Sequence, residues 1–179
     1  MEIFRLIPIT TPIKDRTQSI LRKSPTFHSC KTLSESSKFQ YPKADLKMKK
    51  VDKIAFIEMK NGRILSTKSK GKSKYYIPGG KRELGETDEQ TLTREILEEL
   101  DVSIKKDTIK YVGTFEAQSD GAKEGVLVKM TCYKAEYDGI LRAKSEIEEI
   151  KWLNYKDLNI ISEVDKKIFE FLKENGELK

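Results

Sequence analysis

The sequence predicts an α/β/α sandwich with a mixed β-sheet, on three observations. From Val51 onward, short apolar runs of strand-like composition alternate with segments of helical periodicity. Asn-Gly, Gly-Gly and Asp-Gly dipeptides punctuate those runs as turns. One amphipathic helix falls mid-chain and a second at the C-terminal end, one for each side of a sheet.

Taken in order, VDKIAFIEM (51–59) reads as a strand, Asn61-Gly62 as a tight hairpin turn and RILST as its partner. A lysine-rich loop, KSKGKSK (68–74), leads to a short YYIP strand and the Gly79-Gly80 turn. Residues 88–100 form the strongest helix in the chain. Thr87 with Gln90 three residues on makes a capping box, and Leu92, Ile96 and Leu100 recur at i, i+4 and i+8. Residues 107–117 and 124–137 read as an antiparallel pair across SDGAKE, after which Asp138-Gly139 turns into ILRA. IKWL is a last short strand, with Trp152 expected in the core beside the C-terminal helix. That helix, residues 163–174, turns Val164, Ile168, Phe169, Phe171 and Leu172 inward. No internal repeat is visible.

Residues 1–47 differ in texture from the domain expected over residues 48–179. They hold four of the five prolines, none of the ten glycines and no sustained period, which predicts a structureless extension. A targeting segment and a mis-start with Met48 as the true first residue are the alternatives. Charge divides the same way. The first 50 residues carry 11 basic and 4 acidic side chains, the remainder 24 and 25, so the net +6 belongs to the N-terminal stretch. A nucleic-acid-binding domain is therefore disfavoured, because the part able to fold is near neutral. At 36% charged and with no long apolar run, the chain is not a membrane protein. Two cysteines, Cys30 and Cys132, make neither a disulfide framework nor paired zinc spacing. This fits a reducing, cytoplasmic setting, or a mitochondrial one if residues 1–47 are a transit peptide. With His28 the single histidine, any active site must be built from carboxylates, Lys/Arg and backbone.

Glu95, Glu98 and Glu99 stand at i, i+3 and i+4, so their carboxylates project from one helix face. Such a face repels itself by a few tenths of a kcal/mol per pair, which Arg94 relieves only partly through Glu98. An ordinary solvated acidic surface is one reading. The other is a hard-oxygen site for Mg²⁺ or Mn²⁺, suggested by Glu83 and Glu86 upstream and by the Gly-Gly turn feeding the helix.

The spacing of the whole segment carries more information than any one residue. GKRELGETDEQTLTREILEELDV, residues 80–102, resembles a Nudix box, matching every fixed position except the last glycine, where Asp101 stands. IPGGK before it, the hairpin upstream and SEIEEIKWL downstream extend the resemblance over roughly residues 50–175. Asp101 is a mild departure, since a left-handed helix end tolerates Asp and Asn next after glycine at a cost of about 1 kcal/mol.

The resemblance implies a Nudix-type α/β/α sandwich. It also implies a metal-dependent hydrolase that cleaves a pyrophosphate linkage in a nucleoside diphosphate joined to a group X, with water as nucleophile. Carried over by residue, it places metal ligands at Glu95, Glu98 and Glu99, with the Gly79 carbonyl a further candidate. Arg94 would orient those carboxylates and Glu86 would support the helix start from behind. Glu98, Glu99, Arg94 and Glu146 form the catalytic set, with Glu148 and Glu149 competing for the role of Glu146. Lys70, Lys72, Lys74 and Lys81 are the candidate phosphate-binding cations. Small size and a single box favour a MutT-like nucleoside triphosphate pyrophosphohydrolase, working as monomer or homodimer, with damaged or oxidised nucleotides among its candidate substrates. Hydrolases of ADP-ribose, nucleotide sugars or capped RNA, and a non-catalytic nucleotide sensor, are the alternatives.

Overall fold

The computed structural model describes residues 49–179. Its elements are β1 (Lys49–Phe56), β2 (Met59–Lys60), β3 (Arg63–Ser69), α1 (Asp88–Leu100), β4 (Ser103–Ile104), β5 (Lys110–Gln118), β6 (Val126–Lys134), β7 (Tyr137–Asp138), β8 (Ile147–Leu153) and α2 (Glu163–Glu174). Short 3₁₀ turns occupy Lys106–Thr108 and Tyr155–Ile160.

One sheet has the order β1-β6-β5, with β1 parallel and β5 antiparallel to β6. A second, antiparallel, has the order β2-β3-β8, and β4 pairs with β7. The segment around Tyr75–Lys81 joins the first two. Thr67 and Tyr76 exchange backbone hydrogen bonds of 2.8 Å, while Ile54 and Phe56 of β1 donate to the carbonyls of Gly80 and Pro78, each at 2.9 Å. YYIP is thus a pair of isolated bridges rather than the expected strand. Pro78 has no N–H to continue a ladder, and Gly79 at φ +130° leaves the extended conformation.

Strand alternation places a helix on each face. In β1, Ile54 and Phe56 pack with Leu92, Ile96 and Leu100 of α1. Their neighbours Ala55 and Ile57 pack with Ile168, Phe169 and Leu172 of α2. Each fully buried Leu, Ile or Phe contributes about 1.5–3 kcal/mol of transfer free energy. The same alternation in β8 corrects the expectation for Trp152. Leu153 faces the α2 layer, so Trp152 and Ile150 face the α1 layer. Among the described residues no helix is long and apolar enough to cross a membrane.

Both ends of α1 are closed in ways that bear on the site. At the start, Thr87 Oγ1 accepts from the Gln90 amide at 3.2 Å and Gln90 Oε1 accepts from the Thr87 amide at 2.8 Å. At the end, Asp101 takes the left-handed conformation (φ 59°) expected where a glycine was wanted, and Lys144 Nζ donates to its carboxylate at 2.8 Å. The last carbonyls of the helix are taken up by one downstream segment. The Arg142 amide donates to Leu100, the Lys144 amide to Glu99 and Ser145 Oγ to Glu98. That wrapping brings the next residue, Glu146, to the acidic face.

Candidate active site

The chain enters α1 through a loop held by two arginines. Arg82 donates to Asp52 at 3.1 Å and to Asp88 at 2.5 Å. Arg94 grips Glu86 with two parallel bonds, Nε at 2.7 Å and Nη2 at 2.8 Å. Glu86 accepts further bonds from the Glu83 amide and Thr91 Oγ1, and with Arg94 dominant its carboxyl is held at about 2. It therefore stays ionised and fixes the guanidinium. The remaining nitrogen, Arg94 Nη1, donates to Glu95 at 2.8 Å and lies 3.7 Å from Glu98.

The two adjacent glycines have different reasons to be glycine. A Cβ on Gly80 would overlap the Glu95 carboxylate, so the missing side chain is the space that the carboxylate occupies. A Cβ on Gly79 would overlap the Ile54 carbonyl of β1, and φ +130° is open to glycine alone. The Gly79 amide donates to Glu99 Oε2 at 2.9 Å. The Gly79 N–H thus holds the Glu99 carboxylate in place.

Glu99 is 7% exposed, and burial pushes its carboxyl up to about 8. The Gly79 N–H and Lys53 oppose that rise, and Glu146 and Glu95 add to it. Glu95 is raised for the same main reason, with Arg94 opposing and Glu98 and Glu146 reinforcing. Mutual destabilisation of ionised carboxylates is the electrostatic signature of a place that favours a cation.

A cavity of about 440 Å³ opens along this face. Glu95, Glu99, Gly79, Glu146, Lys72 and Lys81 all line it. Glu98 is not among the lining residues and its side chain is 54% exposed, and Glu86 is held by Arg94. Lys70 and Lys74 are already engaged, Lys70 on the Ser145 carbonyl at 2.9 Å and Lys74 on Asp120 at 2.6 Å. Of the three late glutamates only Glu146 lines the cavity. Glu149 accepts from Tyr75 Oη at 2.7 Å and pairs with Lys68, which also lies 3.7 Å from Glu148.

Sequence reasoning missed three cavity-related residues. Lys53 and Tyr76 line the cavity, Tyr76 donating to Asp120 at 3.0 Å. Asp165, fully buried in α2, donates its amide to Ser162 Oγ and accepts from that hydroxyl at 2.7 Å. The signal for Lys53 was its place in the inward row of Lys53, Ala55 and Ile57.

Among the described residues no three acidic, Cys or His side chains are gathered tightly enough to hold an ion by themselves. The donor set nonetheless fits a hard divalent cation of the Mg²⁺ kind. Such ions keep several waters and take one or two carboxylates together with substrate phosphates, rather than a cage made wholly of protein.

A family model described as NUDIX domain matches residues 48–174. The solved Escherichia coli ORF135 protein is 24% identical, with 71% of this chain and 93% of that chain covered at a TM-score of 0.56. A MutT NUDIX hydrolase from Burkholderia pseudomallei is 20% identical, covering 68% and 97% at 0.56. A MutT protein from Methanosarcina mazei Go1 is 14% identical, covering 73% and 97% at 0.59. These likenesses establish the fold. No curated protein matches the chain.

Proposed function

Since the chain belongs to the Nudix family, hydrolases of the pyrophosphate bond in nucleotide-linked substrates, we propose that it converts a nucleoside triphosphate to monophosphate and pyrophosphate. One observation carries this reading. One cavity of about 440 Å³, within the usual range for small-molecule sites, is lined both by the carboxylates of Glu95, Glu99 and Glu146 and by Lys53, Lys72 and Lys81. A polyanion bridged to carboxylates by a cation and met by ammonium groups satisfies both sets of charges.

Nudix hydrolases generally use divalent cations, and Glu95, Glu98 and Glu99 would hold Mg²⁺ here, or Mn²⁺ in its place. That ion supplies charge neutralisation at phosphate oxygens and activation of water. The chain's own part is positional. Arg94, fixed by Glu86, sets the Glu95 carboxylate against Gly80, and the Gly79 amide sets Glu99. Lys72 and Lys81 meet phosphate oxygens. Water attacks one of the two phosphorus atoms of the α–β bridge, the bond from that phosphorus to the bridging oxygen breaks, and the bridging oxygen leaves with the other product, while the proton of the water passes to one of the carboxylates Glu98, Glu99 or Glu146. We assign the domain to residues 48–179.

The test is a substrate panel of normal and oxidised nucleoside triphosphates, ADP-ribose, nucleotide sugars and capped RNA, assayed for pyrophosphate and phosphate with Mg²⁺, with Mn²⁺ and with excess chelator. Cation-dependent release of pyrophosphate from triphosphates supports the reading. Activity confined to the other compounds overturns the substrate class, and no turnover with any cation leaves a nucleotide sensor as the better account.

A further inference from the structure

Lys53 is out of place as an ordinary surface lysine. It occupies the row of β1 that Ala55 and Ile57 turn into the α2 core, and its register partner on β6 is Met130, whose side chain lines the cavity as Lys53 does. Its backbone is pinned by the bridge to Lys81, so the side chain leaves from a fixed point. Among the described residues no carboxylate lies within 4.0 Å of its ammonium.

Its charge is felt by two buried carboxyls, Glu99 and Asp165, lowering both against the effect of burial. Asp165 has no exposed surface. One of its oxygens accepts from Ser162 Oγ at 2.7 Å, while the other, Oδ1, has no hydrogen-bond partner. Ser162, whose hydroxyl donates to Asp165, lines the cavity, as does Ile77. The inner wall therefore carries an ammonium that, among the described residues, has neither an ion-pair nor a hydrogen-bond partner. An ammonium held beside an apolar core without a counter-charge costs free energy, so the arrangement fits a state in which an anion completes it.

We propose that Lys53 binds the nucleotide directly, its ammonium contacting an anionic oxygen of the phosphate chain within the cavity that Glu95 and Glu99 of α1 also line. A compact, strongly hydrated ammonium gives up water most readily for an anion, and Lys53 is close enough to Glu99 for the two charges to interact. This contact is additional to any bridge made through a divalent cation, and it rests on the nucleotide reading of the cavity.

The experiment compares wild type with Lys53→Met, Lys53→Gln and Lys53→Arg. Two quantities are read: KM and kcat on the best triphosphate of the panel, and equilibrium affinity for a non-hydrolysable α,β-methylene triphosphate, with Mg²⁺ and in excess chelator. Loss of one charge-assisted contact is worth roughly tenfold to a hundredfold in affinity. Weaker analogue binding of that size for Met and Gln, present in chelator as well as with Mg²⁺, is expected, with KM raised more than kcat is lowered and Arg recovering most of the loss. Melting temperatures identify any variant that fails to fold, and the neutral variant that folds then decides. Wild-type affinity and KM in a folded neutral variant overturn the Lys53 contact while leaving the nucleotide reading intact. A wild type that neither turns over nor binds any nucleotide overturns both.

Discussion

Glu99 concentrates the electrostatics of the site in one side chain. An unfolded glutamate titrates near 4.5 and the folded one at about 8, so the native state binds this proton more tightly. Stability from this group is full below pH 4.5 and is lost as pH rises to about 8. Asp165, pushed up to about 7 by burial, acts in the same sense from about 3.8. Cation-free protein should melt at progressively lower temperature between pH 5 and 8. Glu99→Gln should flatten that decline most visibly above pH 7, where Asp165 no longer contributes. A melting temperature that climbs over this window would refute the account of both carboxyls. Turnover of the same variant should fall by at least about a hundredfold, since each ~1.4 kcal/mol of lost transition-state stabilisation is a factor of ten. Glu95, Glu98 and Glu99 were legible in the sequence because helical spacing alone puts them on one face. The spacing does not say which carboxylates are buried, and only packing on Gly79 and Gly80 separates Glu95 and Glu99 from exposed Glu98. Lys53 and Asp165 were hidden by their settings, one inside a strand pattern and the other inside an amphipathic helix.

The Gly79-Gly80 pair allows function and folding to be separated within one short segment. Gly80→Ala meets the end of a flexible glutamate, which can swing away. It should cost little in melting temperature and lower turnover by about tenfold or more as Glu95 leaves its place. Gly79→Ala meets the fixed Ile54 carbonyl in a backbone conformation closed to alanine, so it should lower the melting temperature sharply or prevent folding. Thermal melts and single-substrate kinetics on the pair check both expectations. Equal effects of the two on stability would mean that Gly80 is also a backbone requirement. Both helices, the Asn61-Gly62 hairpin and the β5–β6 pair were readable because caps, turns and periodicity are local signals. YYIP does not form the expected strand because its partners change residue by residue, Tyr75 pairing with Ile161, Tyr76 with Thr67 of β3 and Pro78 accepting from Phe56 of β1, which no local pattern records. The wrapping of the α1 C-terminus by Arg142, Lys144 and Ser145 was equally invisible, though it is what delivers Glu146.

For the chain as a whole, the change of composition at residues 47/48 coincides with the start of the family match at residue 48. A protein starting at Met48 should keep the turnover and melting temperature of the full chain, and a large loss of either would show that residues 1–47 belong to the working unit. The expectation of a structureless extension lies outside the described residues. The two-faced sheet was anticipated, but the parallel pairing of β1 with β6 was not, because strand order is set by long-range packing. That pairing has a consequence for biosynthesis. β1 is made well before its central partner, since Lys49 must find Val126 and Phe56 must find Tyr133, each pair 77 residues apart in the chain. At roughly 5–20 residues per second that is several seconds, during which Ile54, Ala55, Phe56 and Ile57 lack the strand that completes their sheet. The first strand of the domain thus needs protection while the chain is being made, as does β3, whose Ile64 and Leu65 wait for Leu153 and Trp152 of β8.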